Sequence, residues 1–232
     1  MTRAEAGGAN VVAVSEDPMA AYYRERAAEY DAFYQVNGFR DELHRLKAWL
    51  AKHVRGRTVL EVAAGTGYWT KVAAGAAATV TATDINPGVL AIAGKRRLGR
   101  NVVVQVADAY RLPEFASLFD VGMAHLWWSH LPNERQGAFL SQFVSRLQSR
   151  ATLLMIDQND VPGLGGLLFK WDRWGNRCEL RPLDNGNVYE IVKNYPTDAE
   201  LKSALARLCD SVQILRMRYF WALSARIRVG VR

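Results

Sequence analysis

Between residues 58 and 156, short β-branched segments alternate with segments of helical pattern, and that alternation constrains the fold more than anything else in the chain. Thr58–Val62, Ala78–Thr83, Val102–Val106, Phe119–Ala124 and Ala151–Ile156 each read as a strand. Helices follow a glycine loop at 63–67, begin near Pro87, and run over about 132–147. Parallel strands need crossover connections of a dozen or more residues, usually helices, so this order predicts a doubly wound α/β sheet. Val212–Met217 and Phe220–Arg228 read as closing strands, which makes the sheet mostly parallel and seven-stranded.

The flanks add a cap and a cover. Residues 1–16 carry no sustained period and read as a mobile tail; residues 17–232 read as one domain. Within that domain, 17–55 is a helical cap. Asp17-Pro18 suits a helix start, and Tyr23, Ala27 and Tyr30 keep one face through the first helix. A second helix over 39–53 aligns Leu43, Leu46 and Leu50, and Gly56 ends it. Residues 160–195 read as a lid-like insert, with Glu179–Pro182 and Val188–Val192 flanking a turn-rich segment suited to a hairpin. Thr197 and Glu200 form a capping box for a helix to about Leu208.

Composition excludes several classes. Half the residues are hydrophobic and 23% are charged, which rules out a largely disordered, collagen-like or coiled-coil chain. Two cysteines, Cys178 and Cys209, are too few for a disulfide framework or a paired-cysteine metal site, so no metal is expected. No apolar run is long enough for a bilayer, and no signal peptide is visible, so a cytoplasmic setting is expected. The net charge of +7 calls for an anionic partner without naming it.

The glycine loop runs Glu61-Val62-Ala63-Ala64-Gly65-Thr66-Gly67. It matches neither the dinucleotide fingerprint nor a phosphate-binding P-loop, because Ala63 stands where the first glycine would be and no Gly-Lys-Ser/Thr follows. Acidic residues mark the strand ends: Glu61 at the first, Asp84 at the second, Asp108 after the third. In a parallel sheet these share the carboxyl edge, where such folds bind ligands. Asp84 suits a ribose diol, Asp108 an adenine amino group, and Glu61 either an amino-acid ammonium or the loop backbone. A nucleoside with an amino-acid tail fits all three positions.

These residues resemble the signature loop of class I S-adenosylmethionine (SAM)-dependent methyltransferases. Thr81–Ile85, Ala107-Asp108-Ala109 and Phe119–Ala124 are similar to that family's next three motifs, in order, and the likeness covers roughly residues 20–226. The family has glycine where this chain has Ala63, which slightly narrows the approach to the cofactor. The resemblance implies a Rossmann-like methyltransferase fold with SAM as cofactor and S-adenosylhomocysteine (SAH) as product. It implies cofactor contacts from Glu61, Ala63, Gly65, Thr66, Gly67, Asp84, Ile85, Asp108, Ala109 and Ala124. The run from Tyr22 to Asp31, the sequence Gly65-Thr66-Gly67-Tyr68-Trp69-Thr70, the pair His125 and His130, and Ile191-Val192-Lys193 together resemble small-molecule methyltransferases of bacterial natural-product pathways, phosphonate O-methyltransferases included. On that likeness the first helix closes over the cofactor, Tyr22, Arg26 and Tyr30 reach its carboxylate, and Trp69 lines its methionine side.

Candidates for the chemistry follow the fourth strand. His125 or His130 could take a proton from the acceptor, or could merely cap a helix or pack on a tryptophan. Methyl transfer needs no strong base when the acceptor oxygen is already anionic, since the sulfonium is itself electrophilic. Arg181 and Lys193, on the hairpin arms, form an anion clamp if they point inward and are solvated strand charges if they do not. Tyr23 and Trp127 are placed on the acceptor side, with Trp128, Trp171 and Trp174 as further candidates for an aromatic wall. The basic stretch Lys95-Arg96-Arg97-Leu98-Gly99-Arg100 reads as a solvated helix end. His44 and His53 read as surface residues. The expected function is methyl transfer to a small-molecule acceptor, at an oxygen of an anionic or hydroxylated metabolite, by a monomer or homodimer, with neither nucleic acid nor membrane as partner. A nucleic-acid methyltransferase and a non-catalytic SAM-binding protein are the alternatives.

Overall fold

The computed structural model describes residues 18–27, 29–166 and 169–230; the expected tail over 1–16, the Asp17 cap and Ala28 lie outside it. A seven-stranded sheet forms the centre, in the spatial order β3-β2-β1-β4-β5-β10-β9. Its strands are β1 (Thr58–Val62), β2 (Thr79–Asp84), β3 (Val102–Val106), β4 (Phe119–His125), β5 (Leu147–Gln158), β9 (Cys209–Arg216) and β10 (Phe220–Ile227). The first five run parallel, and β10 lies antiparallel between β5 and β9. From β1 the chain winds outward through β2 and β3, then returns to β4 on the other side of β1. That reversal parts the crossover connections and opens a crevice at the carboxyl edge.

Alternation along the central strands sorts the core into two layers. Leu60 and Val62 pack with Phe139 and Phe143 of α5 (Gln136–Val144) and with Leu201 and Leu205 of α6 (Asp198–Leu205). Val59 faces the other way, toward Leu43, Leu46, Leu50 and Val54 of α2 (Arg40–Val54) and Trp69 and Ala73 of α3 (Tyr68–Ala74). The α2 periodicity expected from the sequence is thus the buried face. The Thr197–Glu200 capping box is present at the start of α6. The remaining crossover helix is α4 (Pro87–Gly94).

Three elements differ from expectation. The first helix, α1, spans Pro18–Arg26 and stops short of Tyr30, which starts a 3-10 helix over Tyr30–Gln35. The tighter turn swings Tyr30, Phe33 and Tyr34 onto the α2–α3 layer of the core. β5 begins at Leu147, not at 151, and Arg150 takes a left-handed φ of 64° inside it. The insert is a three-stranded antiparallel sheet: β6 (Phe169–Trp171) adds to the expected hairpin of β7 (Arg177–Pro182) and β8 (Val188–Val192). A third apolar cluster, Ala21 and Tyr22 of α1 with Leu183, Tyr189 and Ile191, docks the cap on this insert.

Glu42, in the first turn of α2, ties the cap to the sheet. Its carboxylate accepts from the backbone N–H groups of Arg218 (2.9 Å), Tyr219 (3.0 Å) and Phe220 (3.1 Å) in the turn between β9 and β10. Glu42→Ala leaves those donors without their partner, at an expected cost of about 1–3 kcal/mol. The thermal midpoint should fall by several degrees; an unchanged midpoint would mean that water replaces the carboxylate without loss.

Candidate active site

The crevice at the carboxyl edge of β1 and β4 holds two adjacent cavities. The glycine loop floors the first. Ala63 (φ 51°), Gly65 (58°) and Gly67 (78°) are all left-handed, which turns the chain sharply from β1 into α3. Gly67 has a second reason to lack a side chain: a Cβ there would lie 2.9 Å from that of Ala93 on α4. Ala63 adopts its φ at a cost of about 1 kcal/mol relative to glycine. Asp84, at the end of β2, holds the loop: its Oδ2 accepts from Gly65 N (2.9 Å), and its Oδ1 accepts from Asn86 N (2.9 Å). Burial pushes the Asp84 carboxyl up, against three backbone N–H groups that favour its charge.

Ala63, Gly65 and Thr66 face this cavity together with Asp84 and Ile85, Asp108 and Ala109, and His125 and Trp127. Met19, Tyr23, Ala27 and Tyr30 of the cap cover it. Asp108 Oδ1 accepts from Tyr110 N (2.8 Å). The Arg135 guanidinium lies 3.7 Å from the Tyr110 ring centroid, and both side chains line the far end.

The second cavity adjoins the first at Tyr23, Tyr30 and Leu126, which line both. Leu126 is left-handed too, at φ 54°. Arg26, Arg181 and Lys193 all border this space. Arg181 donates to Glu179 Oε2 (2.6 Å), and Glu179 is fully buried. Lys193 is 2% exposed; it donates to Ser129 Oγ (2.7 Å) and stands 3.5 Å from Asp157 Oδ1. Burial pushes the Lys193 ammonium down, partly offset by Asp157. Arg26 donates to Tyr22 Oη (2.8 Å) and has no carboxylate partner among the described residues. Three cations therefore meet two carboxylates, and the space is left positive.

Both candidate histidines are uncharged. His130 Nδ1 lies 2.8 Å from the Val192 carbonyl, which can only accept, so the proton sits on Nδ1. Nε2 then accepts from the Tyr23 hydroxyl at 2.7 Å. Burial holds His130 well below its usual value, and Lys193, Arg181 and Arg26 add to that. His125 lies against Trp69, with neither ring nitrogen partnered among the described residues, and burial pushes it down to about 3. It borders the first cavity, whereas His130 borders the second.

Several expected site residues lie elsewhere. Glu61 alternates away from Leu60 and Val62 into the α3 layer, where it is buried behind the loop and accepts from Thr70 Oγ1 (2.5 Å). Tyr22 is taken up by the cluster between α1 and the insert. Trp69 and Ala124 are core residues, and Gly67 faces Ala93. Trp127 borders the first cavity, not the second. Trp128 is core, while Trp171 and Trp174 are 64% and 52% exposed, so no tryptophan wall forms. Arg96 is not a solvated helix end, because it pairs with Asp31 and donates to Thr66 O. His44 is exposed, but His53 is half-buried and bonded to Trp49 O (2.8 Å). The Ser129–Asp157 support of Lys193 was not read from the sequence, although an aspartate ending a buried strand is itself a signal.

Residues 59–150 match a family model described as a methyltransferase domain. This segment is a methyltransferase domain. The whole chain is similar to DhpI in its SAH complex, at 29% identity over 91% of this chain and 96% of that one, with a TM-score of 0.75. The DhpI-SAM-HEP complex gives 27% identity over 90% and 96%, with a TM-score of 0.73. Magnesium protoporphyrin IX methyltransferase (ChlM) from Synechocystis PCC 6803, at 18% identity over 90% and 98% with a TM-score of 0.64, shares the fold. No curated protein sequence matches the chain. The expected Rossmann-like methyltransferase fold is therefore the observed one, and the likeness to DhpI extends beyond residues 59–150.

Glu61 gives this domain a titration to test. Burial pushes its carboxyl to about 8 from an ordinary 4.5. The unfolded chain releases that proton from about pH 4.5 upward while the folded chain keeps it, so folding loses stability as pH rises to about 8 and no further above. Glu61→Gln removes the term. In the ligand-free protein its thermal midpoint should gain on wild type between those two pH values, then hold a constant lead. A difference independent of pH would show that Glu61 is not held neutral.

Proposed function

We propose that this methyltransferase uses SAM to methylate an anionic oxygen of a small molecule held in the second cavity. The observation that carries the reading is the surplus of positive charge from Arg26, Arg181 and Lys193 in a space beside the first cavity. SAM, when bound, supplies an electrophilic methyl group on its sulfonium. We assign its nucleoside to the first cavity, with Asp84 accepting from the ribose hydroxyls, Asp108 from the adenine amino group, and the backbone of Ala63, Gly65 and Thr66 alongside. Ile85 and Ala109 supply apolar wall there.

Tyr23, Tyr30 and Leu126 are assigned to the junction, where methyl and acceptor meet. Arg181 and Lys193 orient the acceptor anion. Arg26, stacked between Tyr22 and Tyr30, supplies the third positive charge, toward either the acceptor or the cofactor carboxylate. Positioning of this kind supplies much of the acceleration when the nucleophile is already charged. Neither histidine is suited to hold an extra proton, since His125 is pushed down to about 3 and His130 faces three cations. An acceptor that arrives deprotonated, such as a phosphonate, phosphate monoester or carboxylate, needs no such base. His130 instead fixes the Tyr23 hydroxyl. The site lies under both cap and insert, which favours a small acceptor over a polymer.

Among the described residues no helix is long and apolar enough to cross a membrane, and both cysteines are unbridged. Unbridged cysteines fit a reducing setting, and we read residues 17–232 as a single domain.

Calorimetric titration with SAH tests the cofactor assignment, and no binding by the folded protein would sink it. An acceptor panel of phosphonates, phosphate monoesters, carboxylates, neutral alcohols and amines, read by SAH formation, tests the acceptor class. Turnover of the alcohols or amines alone would overturn the anionic reading. With an active acceptor, Lys193→Met should raise its KM by at least about tenfold, the worth of a charge-assisted hydrogen bond, and leave SAH affinity unchanged. Equal loss of both would make the lysine structural.

A further inference from the structure

The clasp between Asp31, Thr66 and Arg96 joins three elements that the assigned chemistry leaves unexplained. Asp31 belongs to the 3-10 helix of the cap, Thr66 to the glycine loop, and Arg96 to the turn after α4. Thr66 Oγ1 donates to Asp31 Oδ1 at 2.8 Å. The Arg96 guanidinium donates to Asp31 Oδ2, to the Thr66 carbonyl, and to Thr66 Oγ1 at 3.2 Å. Both oxygens of one carboxylate and the hydroxyl and carbonyl of Thr66 are thus engaged at one point. Arg96 reaches it by passing Gly67, where a Cβ would lie 3.5 Å from its Cδ. Thr66 is itself a wall of the first cavity.

The two sides of this clasp are the two sides of the cavity. Thr66 and its neighbours form the floor; Tyr30, next to Asp31, forms part of the cover. Separation of cover and floor, or unwinding of the cap, widens the way out for a ligand held between them. The cap has a second anchor nearby, Tyr34 stacked on Tyr68 with ring centroids 3.5 Å apart. That contact is insensitive to salt. The clasp is not, because its ion pair is partly open to solvent, with side-chain exposures of 23% for Arg96 and 43% for Asp31.

We propose that Asp31 and Arg96 are positioning residues that latch the cap to the glycine loop and thereby set the rate at which the cofactor product leaves. The inference rests on the assignment of the first cavity to SAM and SAH. The latch acts through Thr66 and Tyr30; neither Asp31 nor Arg96 lines the cavity. The basic turn at 95–97 therefore carries a function that its composition disguised.

Two measurements on the full chain test this. Stopped-flow release of SAH should be faster by about tenfold in Asp31→Asn and in Arg96→Gln, about the worth of one charge-assisted hydrogen bond. The double variant should be no faster than either single one, because both lose the same clasp. Wild-type release should quicken with added salt, and release from the variants should not. Glu42→Ala serves as the control for general destabilisation and should keep the wild-type salt dependence. Release at the wild-type rate, additive effects, or a retained salt dependence would overturn the latch. Amide hydrogen exchange over residues 29–36 in the ligand-free protein is the second measurement and needs no cofactor. It should quicken in both variants, and unchanged exchange would overturn the latch even if SAH binds. Failure of the wild type to bind SAH, with exchange still quickened, would remove the cofactor assignment and leave the latch as a closure of the cap.

Discussion

The parallel pairing of β1 with both β2 and β4 is the constraint from which the site follows. Because the chain winds outward on one side of β1 and returns on the other, no crossover covers the carboxyl edge between β1 and β4. The backbone leaving β1 must then reverse into α3 within a few residues, and it does so through left-handed Ala63, Gly65 and Gly67. Such a loop exposes its N–H groups and needs partners. Asp84 at the end of β2 accepts from one of them, Gly65 N, while Arg96 from the turn after α4 donates to the loop's Thr66 carbonyl. Floor, cover and latch all depend on that one reversal.

Charge is distributed unevenly across the two cavities, and the unevenness carries the chemistry. Burial pushes Glu61, behind the first cavity, and Asp84, within it, toward neutrality. The second cavity keeps Arg26, Arg181 and Lys193 against the buried carboxylates of Glu179 and Asp157. A buried cation without a matching anion is costly, so the surplus is tolerated best when an anion arrives to share it. Burial holds His130 well below its usual value and the same cations add to that, which is why the acceptor proposed is one that brings its own charge. The overall +7 thus matters at few places: Arg96, Arg177, Arg216 and Arg228 are occupied by local carboxylates.

Much of the fold was legible because it is written in local patterns. The strand–helix alternation, the α2 stripe of Leu43, Leu46 and Leu50, and the Thr197–Glu200 box each involve residues within a turn or two of one another. Asp84 and Asp108 were legible as edge residues because strand ends in a parallel sheet must share an edge. The site failed to be legible where two faces of one element compete. Tyr22 and Tyr23 are adjacent on α1, yet the docking of the insert takes Tyr22 into a cluster and leaves Tyr23 facing the cavities. Glu61 and Trp69 were assigned by motif, but strand alternation and the α3 packing turn them into the wall behind the loop.

By itself, then, the sequence determined the doubly wound sheet, the glycine loop with an acid at each strand end, and the cationic arms of the insert. These depend on backbone sterics and short-range periodicity, which act between neighbours in the chain. Only the tertiary structure decided which charges meet: Lys193 with Asp157 and Ser129, Arg181 with Glu179, Arg96 with Asp31, and Arg26 with no carboxylate among the described residues. Pairings of that kind join residues far apart in the chain. Their protonation and net charge follow from burial and from what is brought alongside, neither of which exists before the chain is packed.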